Sequence, residues 1–82
     1  MAHLAIRVLL DGGDWACAHG HWGTLATIAE DLASRLPAPE ADDALAVARC
    51  GTAASGRELE QATAAWCRLR ARLRAGAAVT GR

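Results

Sequence analysis

The segment from Trp22 to Pro39 constrains this chain more than any other part of the sequence. Apolar side chains recur along it at Leu25, Ile28, Ala29, Leu32 and Leu36. That spacing places them on one stripe of an α-helix. Pro37 and Pro39 follow directly, and residues before a proline avoid the helical conformation. The segment therefore predicts an amphipathic helix over about 22–36, which must bury its stripe against another element.

The rest of the chain repeats this alternation of helix and stop signal. The alternating apolar pattern of strands is absent, and the helix formers alanine, leucine, arginine and glutamate dominate. We predict further helices over about 3–18, 40–54 and 56–75. They form hairpins over about 3–36 and 40–75, within one domain over 1–76 and before a frayed tail over 77–82. The predicted fold class is all-α, with two helix-turn-helix hairpins.

Each of these helices carries a predicted apolar face. In the first helix, Leu4, Val8 and Leu9 share a face that Ile6 and Leu10 flank. In the third, the face is small and consists of Ala41, Ala44, Leu45 and Ala48. In the fourth, it consists of Leu59, Ala62, Trp66, Leu69 and Leu73, with Arg68, Arg70, Arg72 and Arg74 on both sides. Gly12 and Gly13 cost roughly 2 kcal/mol inside a helix, so they either end the first helix or permit close packing.

The core available to such a chain is small. The 82 residues include no Phe or Tyr, and the large apolar side chains are ten Leu, two Ile, three Val and three Trp. Much of the 52% hydrophobic content is alanine, which buries little area. Domains of this length are often only marginally stable. We therefore expect support from a partner chain, from self-association or from a further repeat.

The distribution of charge and the cysteine content bear on the partners and the cellular compartment that we expect. The net charge is zero, but residues 1–60 carry −5 and residues 61–82 carry +5. Cys17, Cys50 and Cys67 cannot all pair within one chain and form no CxxC motif, so we expect a reducing cytoplasm. We expect no signal peptide, because Arg7 interrupts the short apolar run. No run approaches the roughly 20 apolar residues of a membrane span.

Large, small and turn residues follow an ordered pattern along the first hairpin. The pattern consists of Leu9, Gly13, Ala16, Gly20, Trp22, Leu25, Ala29, Leu32 and Pro37. It resembles one tetratricopeptide repeat, in which small residues let helices cross closely and large ones fill the gap between hairpins. The resemblance implies a tetratricopeptide-like module that binds another protein.

A second likeness lies in the turn and in the helix after it. His19, His21 and Ile28–Leu32, within "TIAEDLASRL", and the later "ASGRELEQA" resemble small tetratricopeptide-like proteins of bacterial type III secretion systems, including the needle-subunit chaperones. Such chaperones grip an amphipathic helix of the secreted subunit, a helix-in-groove mode of recognition. The resemblance implies a cytoplasmic, non-catalytic chaperone or adaptor without a cofactor, in a homo- or hetero-oligomer. The absence of a net charge makes a nucleic-acid partner unexpected, and without a long apolar run we expect no membrane partner.

Repeat position then assigns a concave, partner-binding surface. From the first helix it includes Arg7, Leu10, Asp14 and Cys17. From the third helix it includes Asp43, Ala46, Cys50 and Ala53. Trp15 falls at a position that we expect to be exposed, where a tryptophan near a groove is a candidate hot spot.

Two other functions stay open on the residues alone. Cys17, His19 and His21 are metal-ligating residue types. In a helix, Cys17 and His21 lie one turn apart and can share a metal ion, whereas His19 points elsewhere. A fourth ligand would come from His3, Asp14 or Cys50. The basic segment Arg68–Arg74 could serve a helix-turn-helix DNA reader. Strong zinc signatures supply two close ligand pairs, and the basic helix also carries the core stripe. A Cys–His nucleophile lacks an orienting group and a pocket. We therefore predict neither a metal site nor an enzyme.

Overall fold

Four helices make up the computed structural model, which describes residues 2–52 and 55–80, with side chains from 4 to 52 and from 55 to 75. They are α1 (Ala2–Ala18), α2 (Trp22–Arg35), α3 (Glu40–Gly51) and α4 (Gly56–Thr80). No strand occurs within the described ranges. The predicted all-α fold of two hairpins is therefore confirmed. None of the described helices has the length and apolarity to cross a membrane.

The turn between α1 and α2 forms at the glycine that the sequence indicates. Gly20 has a φ of 70°, a left-handed conformation that glycine adopts without steric cost. Its amide donates to the carbonyl of Cys17 at 3.3 Å, and the amide of His21 donates to the carbonyl of Ala16 at 2.8 Å. These two bonds form a Schellman motif. They end α1 and turn the chain back toward α2.

The fourth helix begins at the predicted cap and runs beyond the predicted end. The amide of Glu58 donates to Ser55 Oγ at 3.2 Å, and Ser55 Oγ donates to Glu58 Oε1 at 2.9 Å, as capping residues do. The helix continues past Ala75 to Thr80, because the alanine-rich segment contains no proline to stop it. Residues 81–82 of the predicted tail and residues 53–54 of the predicted third helix lie outside the described residues.

The core lies between the stripes of α2 and α4 and the small residues of α1 and α3. Its largest fully buried side chains are Trp66, Leu25, Leu32, Leu69 and Val47. Consecutive helices pack against each other, and α4 also contacts α1. The predicted stripes of α2 and α4 are confirmed at their centres, and Ile28, Leu36 and Leu73 pack at the core's edge.

The predicted inner faces of α1 and α3 are partly wrong. Leu4 and Val8 are 65% and 62% exposed, and Leu45 is 41% exposed. The predicted burial of Ala44 and Ala48 in α3 is confirmed, and the other buried positions are Val47 and Gly51 in α3 and Leu10, Gly13 and Ala16 in α1. Apolar residues occur around most of α1, so their spacing alone does not select the side that faces the core.

The side of α1 that is buried packs mainly on α2, and at Gly13 it also comes very close to α4. A Cβ atom on Gly13 would overlap the indole ring of Trp66, whose side chain is fully buried. Only glycine lets the ring lie so near the backbone of α1. A Cβ atom on Gly12 would instead lie 3.4 Å from Ile28 Cδ1, close to an ordinary contact. The glycine pair therefore permits close packing rather than ending the helix, and Gly13 carries that role.

Substitution of the two glycines tests this distinction. We expect Gly13→Ala to lower the free energy of unfolding by about 1–3 kcal/mol, the usual cost of overpacking, because the rigid ring has no room to move. Gly12→Ala is the matched control, and we expect it to be neutral or stabilising by up to about 1 kcal/mol, because alanine favours helix. Urea denaturation followed by circular dichroism measures both. Equal effects of the two substitutions would contradict the assignment.

Candidate protein-binding site

The structure places α4 against much of the surface that repeat position assigns to a partner. Leu10 belongs to the core, and Asp14 bonds to Trp66 of α4. On α3, Asp43 faces arginines of α4, and Cys50 Sγ lies 3.9 Å from Gln61 Oε1 of α4. Asp14, Asp43 and Cys50 therefore contact the chain's own fourth helix. Ala46 packs at the edge of the core, and Ala53 lies outside the described residues.

Asp14 is the main polar contact between α1 and α4. Trp66 Nε1 donates to Asp14 Oδ1 at 2.7 Å, and Arg70 Nη1 donates to the same oxygen at 3.2 Å. Arg74 Nη2 lies 3.6 Å from Asp14 Oδ2. The indole N–H of a buried tryptophan needs an acceptor. The carboxylate supplies one while two guanidinium groups balance its charge.

Asp43 likewise connects α3 to α4 through arginines, but at longer distances than Asp14 Oδ1 has to its partners. Arg68 Nε lies 3.8 Å from its Oδ1, and Arg72 Nε lies 3.5 Å from its Oδ2. The Oδ2 atom is buried and accepts no hydrogen bond from the described residues, because these separations are too long for a well-formed bond. Charge attraction therefore holds this pair.

The four arginines divide between two neighbours because of their spacing. Positions two apart on a helix point roughly 200° away from each other, so Arg68 and Arg72 reach α3 while Arg70 and Arg74 reach α1. Their charge is thus partly neutralised within the chain. The segment that suggested a basic patch for DNA serves here to hold α4 in place.

Cys17 is close to His19 and His21 in the sequence, but its side chain lies apart from theirs in the structure. Burial raises the pKa of its thiol, an effect that a hydrogen bond with Thr63 of α4 partly opposes. Cys17 therefore faces α4. Within the described residues, no group of three or more His, Cys, Asp or Glu side chains is placed to hold a metal ion. The side chain of His3 lies outside those residues, and Cys17, His19 and His21 form no common ligand set.

His19 and His21 instead cover one side of Trp15. Their ring centroids lie 4.6 and 4.9 Å from that of the indole, both stacked, and 6.3 Å from each other. Rings on opposite faces of the indole would stand at least about 7 Å apart, twice a van der Waals separation. Both imidazoles therefore lie on the same face. His19 Nδ1 donates to the carbonyl oxygen of Trp15 at 2.9 Å, and the same oxygen accepts the backbone N–H of His19 at 3.1 Å.

The outer face of α1, defined by Leu4, Val8 and Trp15, is the strongest candidate for a binding surface. These side chains are 65%, 62% and 54% exposed. Beside the first two lies an open groove of about 420 Å³ between α1 and α2, lined by Leu4, Ala5, Val8, Leu9, Asp31 and Arg35. The Asp31–Arg35 ion pair, at 2.9 Å, forms its polar rim. An apolar floor with a charged rim is the composition of protein interfaces.

Sequence reasoning found part of this surface and missed the rest. Trp15 was expected to be exposed, and it is. Arg7 is also exposed. Leu4 and Val8 belong to the apolar face predicted for α1, but they are exposed, and Gly13 on the opposite side of α1 is the residue that indicates the buried face. A small residue on one side of a helix indicates where another helix approaches closely.

Asp14 can be tested against an exposed ion pair. We expect Asp14→Ala to lower the free energy of unfolding by about 1–3 kcal/mol, because it leaves the buried indole N–H without an acceptor. The matched control is Asp31→Ala, which removes a surface pair worth about 0.3–0.5 kcal/mol. Urea denaturation compares the two variants. A loss for Asp14→Ala no larger than that of the control would contradict the role of Asp14.

Thiol reactivity tests the placement of Cys17. In single-cysteine variants at pH 8, we expect Cys17 to react with iodoacetamide more slowly than the exposed Cys67, because a raised pKa leaves less thiolate. The reaction of Cys17 should speed up as pH rises through that raised pKa. In guanidinium chloride the two rates should converge. A faster folded-state reaction at Cys17 would contradict its burial against α4.

Comparisons of this chain with protein-family models, with curated proteins and with solved structures return no match.

Proposed function

We propose that this chain is a non-catalytic protein-binding module that holds an amphipathic helix of another protein against the outer face of α1. The observation that carries the proposal is the exposure of Leu4, Val8 and Trp15 on one side of a single helix. Contiguous apolar patches on small proteins mark interaction sites. An amphipathic helix fits because its apolar stripe runs along a groove between two helices.

The arrangement around the outer face supports recognition of a helix. The groove beside Leu4 and Val8 supplies a path along α1, and Trp15 stands further along the same face. A partially exposed tryptophan gives a large contact area at small entropic cost, and tryptophan is enriched among binding hot spots. Stacking against His19 and His21 restricts the indole before a partner arrives, which reduces the entropy lost on binding.

The biological setting that we propose is that of a small cytoplasmic chaperone or adaptor of a bacterial type III secretion system. Support comes from the resemblance carried by His19, His21 and Ile28–Leu32. In this setting the module covers the apolar face of a secreted subunit's helix and so prevents premature assembly. The small core and the exposed apolar surface suit a protein that gains stability from its partner.

Co-expression tests this function. The chain is produced with each small helical secreted subunit encoded beside its gene, and complexes are purified and weighed by light scattering. We expect a stable one-to-one complex with one of these subunits. Leu4→Glu/Val8→Glu should weaken that complex at least roughly tenfold, because each buried aliphatic side chain is worth about 1.5–3 kcal/mol.

The control is Leu45→Glu, which places one glutamate at an exposed leucine of α3. It should leave the complex unchanged. Circular dichroism of each variant confirms that the helices are retained. The proposal fails if none of the subunits binds, or if the complex tolerates Leu4→Glu/Val8→Glu as well as Leu45→Glu.

A further inference from the structure

The outer face of α1 has the residue spacing of a helix-pairing seam. Leu4, Val8, Asp11, Trp15 and Ala18 follow one another at intervals of four, three, four and three residues, and all five are exposed. Alternating intervals of this kind keep side chains on one line along a helix, and a second helix can pack on that line. The seam lies on the side of α1 away from Gly13 and the core.

Two opposite charges accompany this seam. Arg7 and Asp11 are both exposed and stand one helical turn apart on α1. The ion pairs found among the described side chains include neither of them. Asp11 sits within the apolar line itself, so a helix covering the line must bring a cation to it or leave a carboxylate poorly solvated.

We propose that the outer face of α1 pairs with the same face of a second copy of this chain, with the two helices antiparallel about a two-fold axis. The inference rests on the proposed function in one respect, since the second copy occupies the same surface until the partner's helix replaces it. A two-fold interface uses one patch on both subunits. The seam must therefore be complementary to itself, in charge as well as in shape.

One antiparallel register meets that requirement. It places Leu4 opposite Trp15 of the second copy, and Val8 opposite Asp11 of the second copy. Arg7 then stands beside Asp11 of the second copy, on the same side of the seam, and symmetry repeats the pair. The register joins Leu4 with Trp15 of the second copy and gives each carboxylate a guanidinium partner.

Two alternative registers fail on charge. A parallel pair in register, or an antiparallel pair centred on Asp11, sets two carboxylates against each other in the middle of the contact. Like charges that face each other across a contact oppose association. The chain has no net charge, so two copies approach without long-range repulsion.

The small area that this contact would bury indicates a weakly associating dimer, in exchange with the monomer. Stable interfaces bury about 800 Å² on each partner, and the whole surface of this chain is 4999 Å². One face of a 17-residue helix, with the adjoining edge of α2, supplies less than that standard area. We therefore expect association in the micromolar range, weak enough for a partner's helix to displace the second copy.

Charge reversal tests the register. Sedimentation equilibrium of the full chain is measured from about 1 to 500 μM for the natural sequence and for R7E, D11R and R7E/D11R, the range following from the expected micromolar affinity. We expect a concentration-dependent dimer. Each single reversal should weaken it at least tenfold, and R7E/D11R should restore it to within about threefold, because the double variant re-forms both pairs with exchanged signs.

A control variant and circular dichroism complete the experiment. L45E should leave dimerisation unchanged, and equal circular dichroism spectra establish that every variant keeps its helices. A natural sequence that stays monomeric throughout overturns the inference. So does a dimer that is indifferent to R7E and D11R, or that R7E/D11R fails to restore. If the chain is monomeric but still binds a secreted subunit, only this inference is contradicted. If it dimerises but binds no subunit, only the proposed function is contradicted.

Discussion

The packing of the Trp66 indole on the backbone of Gly13 is a very close contact between α1 and α4, and the position of the first helix relative to the last depends on it. It brings α4 back to α1 after the chain has passed through two hairpins. The ring fills space that a chain without Phe or Tyr has few other means to fill. Its N–H group is satisfied by Asp14, so the largest buried side chain carries no unpaired polar atom. Shape and hydrogen bonding therefore specify the same helix crossing.

The charges of α4 reinforce that crossing from both sides. Four arginines at alternate positions reach two aspartates, Asp14 on α1 and Asp43 on α3. Each exposed guanidinium contributes little by itself, at most about 1 kcal/mol. Together they orient a long helix whose apolar stripe would tolerate small rotations. The opposite charges of the two halves of the sequence thus meet inside the folded chain, which reduces the need for an acidic partner.

The packing of α4 on α1 also determines which surface is left exposed for binding other proteins. Once Gly13 faces α4, the opposite side of α1 must face solvent, and that side carries Leu4, Val8 and Trp15. Several positions that a repeat register assigns to a partner, among them Asp14, Asp43 and Cys50, contact the chain's own fourth helix. The candidate binding surface is therefore the outer face of α1 rather than the predicted concave surface. Association through this face would bury the apolar groups that the small core leaves exposed.

The sequence by itself determined the helices and the turns between them. Local chemistry suffices for these features: prolines stop α2, Gly20 supplies a left-handed turn, and Ser55 with Glu58 caps α4. The stripes of α2 and α4 were equally readable, because each has one clear apolar side. Only the tertiary structure decided which side of α1 is buried, and with it the location of the candidate site. Apolar residues lie around most of α1, so the choice came from a ring 53 positions away in the chain, at Trp66, that needs a glycine beneath it.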